Sequence, residues 1–462
     1  MSRIFLILFI IFFNTKIFCE ILMPPYVQSV LPNSVYVLVE TNTPDTVTVN
    51  YGLTPGFGLI AKTEFMLLTD NSPVTYVHRI KLNNLQTNTK YYYNATQGNS
   101  TSGEASFITA LISDTSYSFC WMADCRTGVS IHNQIAQLIR LQNPRFSIYG
   151  GDLCYGSQYN YWKTEFFTSE EQLTISQIPF FGIAGNHEGW TINTKAFEQN
   201  PASDSTNNGY YSFDYGNVHF TAINVMVNYS IGSPQYSFVA SDLASSNKQW
   251  KIVIVHNAPY CAGGHGEDPL LITMAQNLFV PNNVDLVISG HSHFYQHNLV
   301  NNIHYLVIGT AGAPFYQPDS AYYTIKSVKD YCWGLVNVSP NVLTVRVYNN
   351  NSLKLDSLSL YKTYNGINNK GEFLDNDFIL YQNYPNPFNS TTKIKFNIPV
   401  SSFIVLSIFD TSGKEVAVLV NEYLKAGIYN LTFDGSKLSS GIYLCSLKSD
   451  NYKSIKKMLL LK

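Results

Sequence analysis

Charge of either sign is scarce in this chain of 462 residues. Aspartate, glutamate, lysine and arginine together make up 13% of it, and the formal net charge is -2. Nucleic acids and anionic membranes attract proteins through a strong basic field, which this composition does not supply. A scaffold role on nucleic acid is therefore not expected.

Cysteine is also sparse, with seven residues in the chain. Their spacing matches no CxxC pairing of the kind that holds zinc, so a thiolate metal site is not expected. Buried free thiols are the preferred interpretation of the six cysteines that follow residue 19. One pair, Cys154 and Cys261, lies beside the motifs described below and stays open as a disulfide of an exported protein.

The apolar run near the N-terminus is too short to cross a bilayer. It extends from Ile4 to Phe13, after Arg3 and before polar residues, which is typical of a secretory signal peptide. We expect residues 1–19 to be cleaved and the mature protein to be exported without a transmembrane segment. Lipid attachment at Cys19 is an alternative, although the residues before it match such a site poorly.

The rest of the chain shows a three-part pattern. Short alternating runs broken by proline, glycine and asparagine at 20–112 predict an all-β sandwich. At 113–362 continuous apolar strands alternate with helical patterns, which predicts an α/β domain whose sheet is buried on both faces. A linker at 363–379, rich in asparagine and glycine, leads to a second all-β sandwich at 380–462.

Five short stretches of the α/β region each follow a predicted strand and carry residues that can bind a metal. Ligands collect at the carboxyl ends of strands in open α/β sheets, so we expect these side chains to converge. Carboxylate, phenolate, amide and imidazole groups suit iron, manganese or zinc, and there are enough of them for two ions. The pattern predicts a binuclear hydrolase site. The stretches read Met-Ala-Asp124, Gly-Gly-Asp152-Leu-Cys-Tyr155, Gly-Asn186-His187-Glu188, Val-Ile-Val-His256 and Gly-His291-Ser-His293.

Asp152 is the expected bridging ligand. Gly150 and Gly151 precede it and leave room for a metal to approach the backbone, while its two oxygens could each bind one ion. Two-metal hydrolases hold their ions roughly 3.5 to 4 Å apart, a spacing that a bridging carboxylate maintains.

With these motifs, the chain from residue 23 to residue 362 resembles the metallophosphoesterase superfamily, and within it the purple acid phosphatases. The resemblance implies a four-layer α/β/β/α catalytic domain, flanked here by all-β sandwiches. It also implies hydrolysis of phosphate monoesters, with a metal-bound hydroxide attacking phosphorus. The implied ligands are Asp124, Asp152, Tyr155 and His293 for the first metal, and Asp152, Asn186, His256 and His291 for the second.

Tyr155 indicates which ion the first site would hold. GDxxY is the purple acid phosphatase version of the second motif, and a phenol with a pKa of about 10 needs a strong Lewis acid to lose its proton. The resemblance therefore implies Fe(3+) in the first site, with Zn, Mn or Fe(2+) in the second. A tyrosine that only lines the wall beside Mn or Zn is the alternative.

The first motif departs from the family pattern. Asp124-Cys125-Arg126 stands where most superfamily members have Asp-x-His and purple acid phosphatases usually have Asp-x-Gly. Arg126 could direct its guanidinium at a substrate phosphate, and a salt-bridged loop arginine is equally compatible with the sequence.

Two further histidines are implied to face the substrate. His187 follows the ligand Asn186. His187 and Asn186 are both expected to contact phosphoryl oxygens. His265 is placed like the substrate-facing histidine of purple acid phosphatases, with a solvated loop residue as the alternative. Either histidine would protonate the departing alkoxide. Three others are interpreted as structural, namely His219, His297 and His304.

The two flanking regions carry resemblances of their own. Residues 78–93 resemble the end of the fibronectin type III domain that precedes the catalytic domain of purple acid phosphatases. The opening Tyr381-Gln-Asn-Tyr-Pro-Asn-Pro-Phe388 and two later Gly-Ile-Tyr repeats resemble the type A sorting domain of type IX secretion. That domain implies a partner in the type IX machinery, a secreted or surface location in a Gram-negative bacterium, and removal of the domain on export. An ordinary carbohydrate-binding or Ig-like sandwich is the alternative.

The function predicted from the sequence is that of a secreted acid phosphatase acting on a phosphorylated small molecule. A phosphodiesterase or nucleotide hydrolase on the same metals is the enzymatic alternative. A surface binding protein with a vestigial catalytic domain is the non-enzymatic one, and the complete set of ligands in all five motifs argues against it.

Overall fold

The computed structural model describes residues 19–112, 115–201, 208–362, 379–383, 385–398, 402–424, 427–449 and 452–462. The predicted signal peptide lies outside these ranges except for residue 19. The predicted linker lies outside them except for residue 379.

The N-terminal segment is all β. Its strands alternate as the sequence pattern predicted: in β7, Tyr91, Tyr93 and Ala95 are buried and the residues between them are partly exposed. The strands are β1 (Ile21–Gln28), β2 (Val35–Thr41), β3 (Thr48–Gly52), β4 (Leu59–Lys62), β5 (Phe65–Leu68), β6 (Tyr76–Leu82), β7 (Lys90–Gln97), β8 (Ser100–Thr101) and β9 (Ala105–Ile108).

The central segment combines strands with helices. Its strands are β10 (Tyr117–Met122), β11 (Ser147–Tyr149), β12 (Phe180–Gly182), β13 (Tyr211–Tyr215), β14 (Val218–Ile223), β15 (Trp250–Val255), β16 (Leu286–Ser289), β17 (Tyr295–Val300), β18 (Ile303–Ile308), β19 (Thr324–Val328), β20 (Trp333–Val338), β21 (Val342–Tyr348) and β22 (Lys354–Tyr361). Its helices are α1 (Val129–Gln142), α2 (Tyr159–Tyr161), α3 (Ser169–Ile175), α4 (Ile192–Phe197), α5 (Pro234–Ser245) and α6 (Pro269–Met274), with π-helical turns at Trp162–Phe166 and Ala275–Phe279.

Two sheets form the centre of this segment. The first has ten strands in the order β22-β21-β20-β10-β11-β12-β1-β2-β6-β5, and the second has seven in the order β13-β14-β15-β16-β18-β17-β19. One hydrophobic cluster joins Trp121 and Ile148 of the first sheet to Phe220 and Ile252 of the second. The two sheets therefore pack face to face.

Helices cover the outer face of each sheet. Strand β15 shows the consequence, because Ile252 and Ile254 belong to the cluster between the sheets. Val253 and Val255 instead join the cluster that contains α5 and α6 residues such as Leu243. Helices α1 and α3 cover the first sheet in the same way. The predicted four-layer α/β/β/α arrangement is confirmed.

The first sheet continues from the central segment into the N-terminal one. Strand β1 pairs in parallel with β12 through Gln28 and Phe180, and β2, β6 and β5 extend the sheet beyond it. The predicted domain boundary at residue 112 therefore separates segments that share one sheet. That boundary and the fibronectin resemblance stay predictions.

The C-terminal segment forms two sheets of its own, with the orders β23-β24-β27 and β26-β25-β28-β29. Its core contains Phe396, Leu406, Ile408, Leu447 and Leu460. The strands are β23 (Ile379–Leu380), β24 (Thr391–Ile398), β25 (Ser402–Asp410), β26 (Glu415–Leu424), β27 (Gly427–Asp434), β28 (Gly441–Ser449) and β29 (Tyr452–Leu460).

The seven cysteines lie within the described ranges, and all of them are free thiols, including Cys154 and Cys261. The six after residue 19 are buried. Of the described helices, none is both long enough and apolar enough to span a membrane.

Candidate metal centre

The five motifs lie at the carboxyl ends of five strands. Asp124, Asp152 and Asn186 follow β10, β11 and β12, which run parallel in the first sheet. His256 and His291 follow β15 and β16, which run parallel in the second. Because the sheets face each other, both sets of side chains meet at one edge of the sandwich.

Three of these residues have a strained backbone. The φ angles are 56° at Asp124, 53° at Asp152 and 68° at His291, in the left-handed region that L-residues other than glycine and asparagine rarely adopt. Such a conformation costs about 1–3 kcal/mol and persists where the surroundings fix it, often at functional sites. It turns the chain sharply at the end of each strand and directs the side chain towards the other sheet.

Two glycines permit this close approach. A Cβ on Gly185 would lie 2.2 Å from the Asp152 backbone nitrogen, and one on Gly151 would lie 2.7 Å from His256 Nδ1. Gly151 also has a φ of 87°. A side chain at either position would push the ligand residues apart.

The side chains form two groups that could each hold a metal ion, and they share one carboxylate. The ligand atoms within each group lie within 4.8 Å of one another. Asn186 Oδ1 is 3.2 Å from His256 Nε2 and so lies beside one of them. The groups are Asp152, His256 and His291, and Asp124, Asp152 and His293.

The state of these donors fits a cation. Asp124 Oδ1 and His291 Nδ1 are buried without a hydrogen-bond partner among the described residues, an arrangement that is rare unless an ion supplies the missing contact. His256 Nδ1 lies 2.7 Å from the Gly150 carbonyl and His293 Nδ1 lies 2.6 Å from the Pro314 carbonyl. A carbonyl only accepts, so each Nδ1 donates and each Nε2 is left to face the carboxylates.

The pKa values of the site reflect its burial and the several ionisable side chains that lie close together in it. Burial raises the pKa of Asp124. Burial lowers the pKa of His256, but the Asp152 and Asp124 carboxylates outweigh it and bring the value to about 10. The pKa of His291 falls to about 3 because of burial and the adjacent His256. A cation that binds here displaces a proton, as expected for a metal site.

Arg126 lies against the Asp124–Asp152–His293 group. Its Nε is 3.5 Å from Asp152 Oδ2 and its Nη2 is 3.4 Å from His293 Nε2, and the residue is 7% exposed. The guanidinium is thus held at the ligands by an ion pair.

Tyr155 lies at the rim of the site. The residue is 50% exposed, and its ring centroid is 5.5 Å from those of His187 and Tyr161. Its role as a metal ligand stays a prediction.

His187 faces the shared carboxylate. Its Nδ1 lies 2.8 Å from the Tyr155 carbonyl, its Nε2 is 3.8 Å from Asp152 Oδ2, and its backbone N–H donates to Asp152 Oδ1 at 3.0 Å. Because a carbonyl occupies Nδ1, the opposite nitrogen is the one available towards the site.

His265 packs on a ligand residue. Its ring stacks on His291 with centroids 4.0 Å apart and meets Tyr316 edge-on at 4.9 Å. The ring thus contacts the centre, and its role towards the substrate stays a prediction.

The three histidines interpreted as structural lie in other networks. His219 bridges Asp214 and Asp242 at 2.7 and 2.9 Å. His297 joins His304 and Asp356 at 2.8 and 3.0 Å.

Two glutamates support the site without having been singled out from the sequence. Glu188 Oε1 accepts the backbone N–H groups of Asp152 at 3.0 Å and Gly185 at 2.7 Å. Glu165 Oε2 accepts those of Thr127 at 3.0 Å and Tyr155 at 2.9 Å. Glu188 belongs to a motif and could have been noted, whereas nothing in the sequence around Glu165 indicates this contact.

Comparison with known proteins identifies the regions. Residues 109–295 match the sequence model of the family Calcineurin-like phosphoesterase. The central region is a calcineurin-like phosphoesterase domain. Residues 382–461 match the secretion system C-terminal sorting domain, so the predicted sorting tail is also confirmed.

Similar proteins cover about half of the chain or more. The chain is 26% identical to a purple acid phosphatase of Glycine max over 52% of this chain and 56% of that protein. It is 26% identical to the Fe(3+)-Zn(2+) purple acid phosphatase 12 of Arabidopsis thaliana over 54% and 58%, respectively. The chain thus spans little more than half of these relatives. The structure of purple acid phosphatase PPD1 from yellow lupin shares the fold, with a TM-score of 0.66, 19% identity, and coverage of 74% of this chain and 75% of that one.

Proposed function

We propose that the protein is a secreted phosphatase that hydrolyses phosphate monoesters at a binuclear metal centre. The observation that carries this proposal is the sharing of Asp152 by two groups of potential metal ligands. A shared carboxylate between two ligand groups is the arrangement that two-metal hydrolases use.

We expect Asp152 to be a ligand of both ions. Each ion would have a further set of ligands of its own. When bound, such ions supply Lewis-acid charge for the phosphoryl oxygens and lower the pKa of water. The name of the Arabidopsis relative specifies Fe(3+) and Zn(2+), which supports iron in the first site and zinc, manganese or Fe(2+) in the second. The first set is Asp124, Tyr155 and His293, and the second is Asn186, His256 and His291.

Arg126 is proposed to bind the phosphoryl group. Its guanidinium already lies against Asp152 and His293, so a phosphate that reaches the centre would meet its N–H groups. A planar guanidinium can donate two parallel hydrogen bonds to phosphate oxygens, which both orients the group and offsets its charge. Asn186, beside His256, offers an amide to the same oxygens.

His187 is proposed to give a proton to the leaving oxygen. The Tyr155 carbonyl fixes its Nδ1, so a proton on Nε2 is directed towards the centre. General acids need this fixed placement within reach of the leaving group. His265 is proposed to contact the substrate from the opposite side, on the face of His291.

Activity of two ligand variants tests the function. Asp152→Asn and His256→Ala are expected to abolish hydrolysis of p-nitrophenyl phosphate by the full chain. Asp410→Asn, at the end of β25 in the sorting domain, is the control and should retain wild-type activity. Wild-type rates in either ligand variant would contradict the site. A higher rate with bis(p-nitrophenyl) phosphate would favour the phosphodiesterase alternative.

Metal analysis with a visible spectrum tests the cofactor. Two ions per chain and an absorption band from tyrosinate bound to iron are expected. A colourless protein with manganese or zinc alone would refute the iron assignment and leave hydrolysis intact. Fewer than one ion per chain would favour a vestigial domain.

The sorting domain supports export, and we propose that it directs the protein through the type IX machinery to the surface or the medium. The secreted form is then expected to lack residues 380–462. Mass spectrometry that found Lys462 in the secreted form would contradict this route.

A further inference from the structure

Glu165 joins two of the loops that carry metal ligands. A single oxygen, Oε2, accepts the backbone N–H groups of Thr127 at 3.0 Å and Tyr155 at 2.9 Å. Thr127 follows Asp124 by three residues, and Tyr155 follows Asp152 by three. One carboxylate thus sets the spacing between the loop after β10 and the loop after β11.

These loops need an external anchor. Asp124, Thr127 and Asp152 have φ angles of 56°, 64° and 53°, a region that each would leave if it were free to relax. A carboxylate that accepts two N–H groups makes charge-assisted hydrogen bonds, which are stronger than bonds between neutral groups. Glu165 therefore opposes the relaxation of both loops at once.

The turn that carries Glu165 is itself held by the N-terminal strands. Glu40 of β2 is fully buried and accepts from the Tyr159 hydroxyl at 2.6 Å and from Lys163 Nζ at 2.7 Å. Asp70 Oδ1, beyond β5, accepts the Tyr159 backbone N–H at 3.0 Å. Within the turn, Trp162 is 1% exposed. The π-helical turn at Trp162–Phe166 is therefore fixed from the side of the N-terminal segment.

We propose that Glu165 is a positioning residue of the metal centre, which holds the Asp124 and Asp152 loops at the separation that metal binding requires. Through the same turn, the N-terminal strands support the centre. This inference rests on the proposed metal centre and does not depend on which phosphoester is hydrolysed.

Metal affinity of the full chain tests the role. The metal-free protein and its Glu165→Ala, Glu165→Gln and Glu170→Ala variants would be titrated with Zn(2+) against a competing chelator. Removal of a group that orients metal ligands typically weakens affinity about 10- to 100-fold, and a loss in this range is expected for Glu165→Ala. Glu165→Gln keeps an acceptor oxygen and should recover most of the affinity.

Glu170→Ala is the matched control. Glu170 lies on α3, also partly buried, and its carboxylate pairs with Arg140 at 2.9 Å. Its removal should leave Zn(2+) affinity unchanged. Wild-type affinity in Glu165→Ala would overturn the proposal, as would an equal loss in Glu170→Ala. Equal loss in the Ala and Gln variants would also overturn it, because Gln restores an acceptor oxygen that Ala lacks.

The outcome is separable from that of the proposed function. If the wild type hydrolyses phosphoesters and Glu165→Ala binds Zn(2+) normally, the positioning role fails alone. If the wild type hydrolyses none and Glu165→Ala has weakened affinity, the proposed function fails and the positioning role holds.

Discussion

The two ends of the chain have the same kind of structure and a different relation to the central segment. Both are all β. Strands β1, β2, β5 and β6 share a sheet with β10, β11 and β12, whereas the described strands β23 to β29 pair only with one another. The core of the C-terminal segment likewise contains only residues from 380 to 460. The N-terminal segment shares a sheet with the central segment, and the described strands of the C-terminal segment form sheets of their own.

Side chains strengthen this difference. Arg79 of β6 is 1% exposed and donates to the carbonyls of Lys195, Ala196 and Glu198, at the end of helix α4. Glu40 holds the turn that carries Glu165. The N-terminal strands thus cover the edge of β12, which would otherwise be open to pairing with other chains. An appended sandwich, by contrast, can be removed without opening a sheet.

Deletion of each end should give the largest contrast. A chain without residues 20–112 would expose β12 and lose the buried surface around β1, so we expect insoluble protein without a cooperative unfolding transition. A chain without residues 380–462 should melt within about 2 °C of the same transition in the full chain, because no shared sheet is cut. Thermal unfolding followed by circular dichroism measures both.

Equal behaviour of the two deletions would break the comparison. A soluble and cooperatively folded chain without residues 20–112 would show that the shared sheet is dispensable. The full chain, which contains residues 20–112, is expressed in parallel as the control for expression artefacts.

Replacement of a single arginine, Arg79, should cause part of the destabilisation expected from deletion of residues 20–112. Burial lowers the pKa of Arg79 to about 10, which leaves it charged at neutral pH. Arg79→Ala would leave several buried carbonyls without a donor, and we expect a loss of about 3 kcal/mol in the free energy of unfolding. Urea unfolding at pH 7 measures it.

Arg140→Ala is the matched control for that variant. Arg140 makes a partly exposed ion pair with Glu170 at 2.9 Å, and pairs of this kind contribute less than about 1 kcal/mol. A similar loss for both arginines would mean that Arg79 is an ordinary surface residue in energetic terms.

The stability of the central segment should depend on pH through His219, whereas that of the C-terminal segment should not. This difference is expected to be smaller than that between the two deletions. Burial lowers the pKa of His219, but hydrogen bonds to Asp214 and Asp242 outweigh it and raise the pKa to about 9. The protonated form is therefore favoured by folding. Its contribution is complete below the unfolded pKa of about 6.5 and is lost as pH rises through about 9, a change of roughly 3 kcal/mol.

His219→Gln provides the comparison, since the difference between it and the wild type isolates this one group. The wild type should lose stability between pH 6 and pH 9.5 relative to the variant. The C-terminal segment, residues 380–462, contains no histidine, so its unfolding should not change in this pH range through such a group. A constant difference between the two proteins across the range would show that protonated His219 between Asp214 and Asp242 does not stabilise the fold.

Much of the central fold was predictable because its signals are local. An apolar run such as Ile252 to Val255 in β15 indicates burial on both faces, and the alternation in β7 indicates burial on one. The pairing of β1 with β12 had no such signal, because it joins Gln28 to Phe180, which are far apart in the sequence. Contacts of that range are decided when the segments pack.

The candidate site likewise has features that the sequence predicted and features that it did not. The residue types after each strand predicted the ligands, and the shared position of Asp152 between two groups agrees with that expectation. Glu165 had no signal, since it stands on a π-helical turn that only the folded structure brings against Thr127 and Tyr155. The ring of Tyr155 beside His187 and Tyr161 was equally invisible in the sequence.

The sequence by itself determined which chemical groups stand at the strand ends, because the position of a residue after a strand depends on a few neighbouring residues. It also determined the family resemblance of the domain and of the sorting tail. Only the tertiary structure decided which groups meet, which carboxylates hold the strained loops, and which flanking segment shares a sheet with the central one. Those outcomes depend on how two sheets pack against each other. No local run of residues determines which side chains that packing brings together.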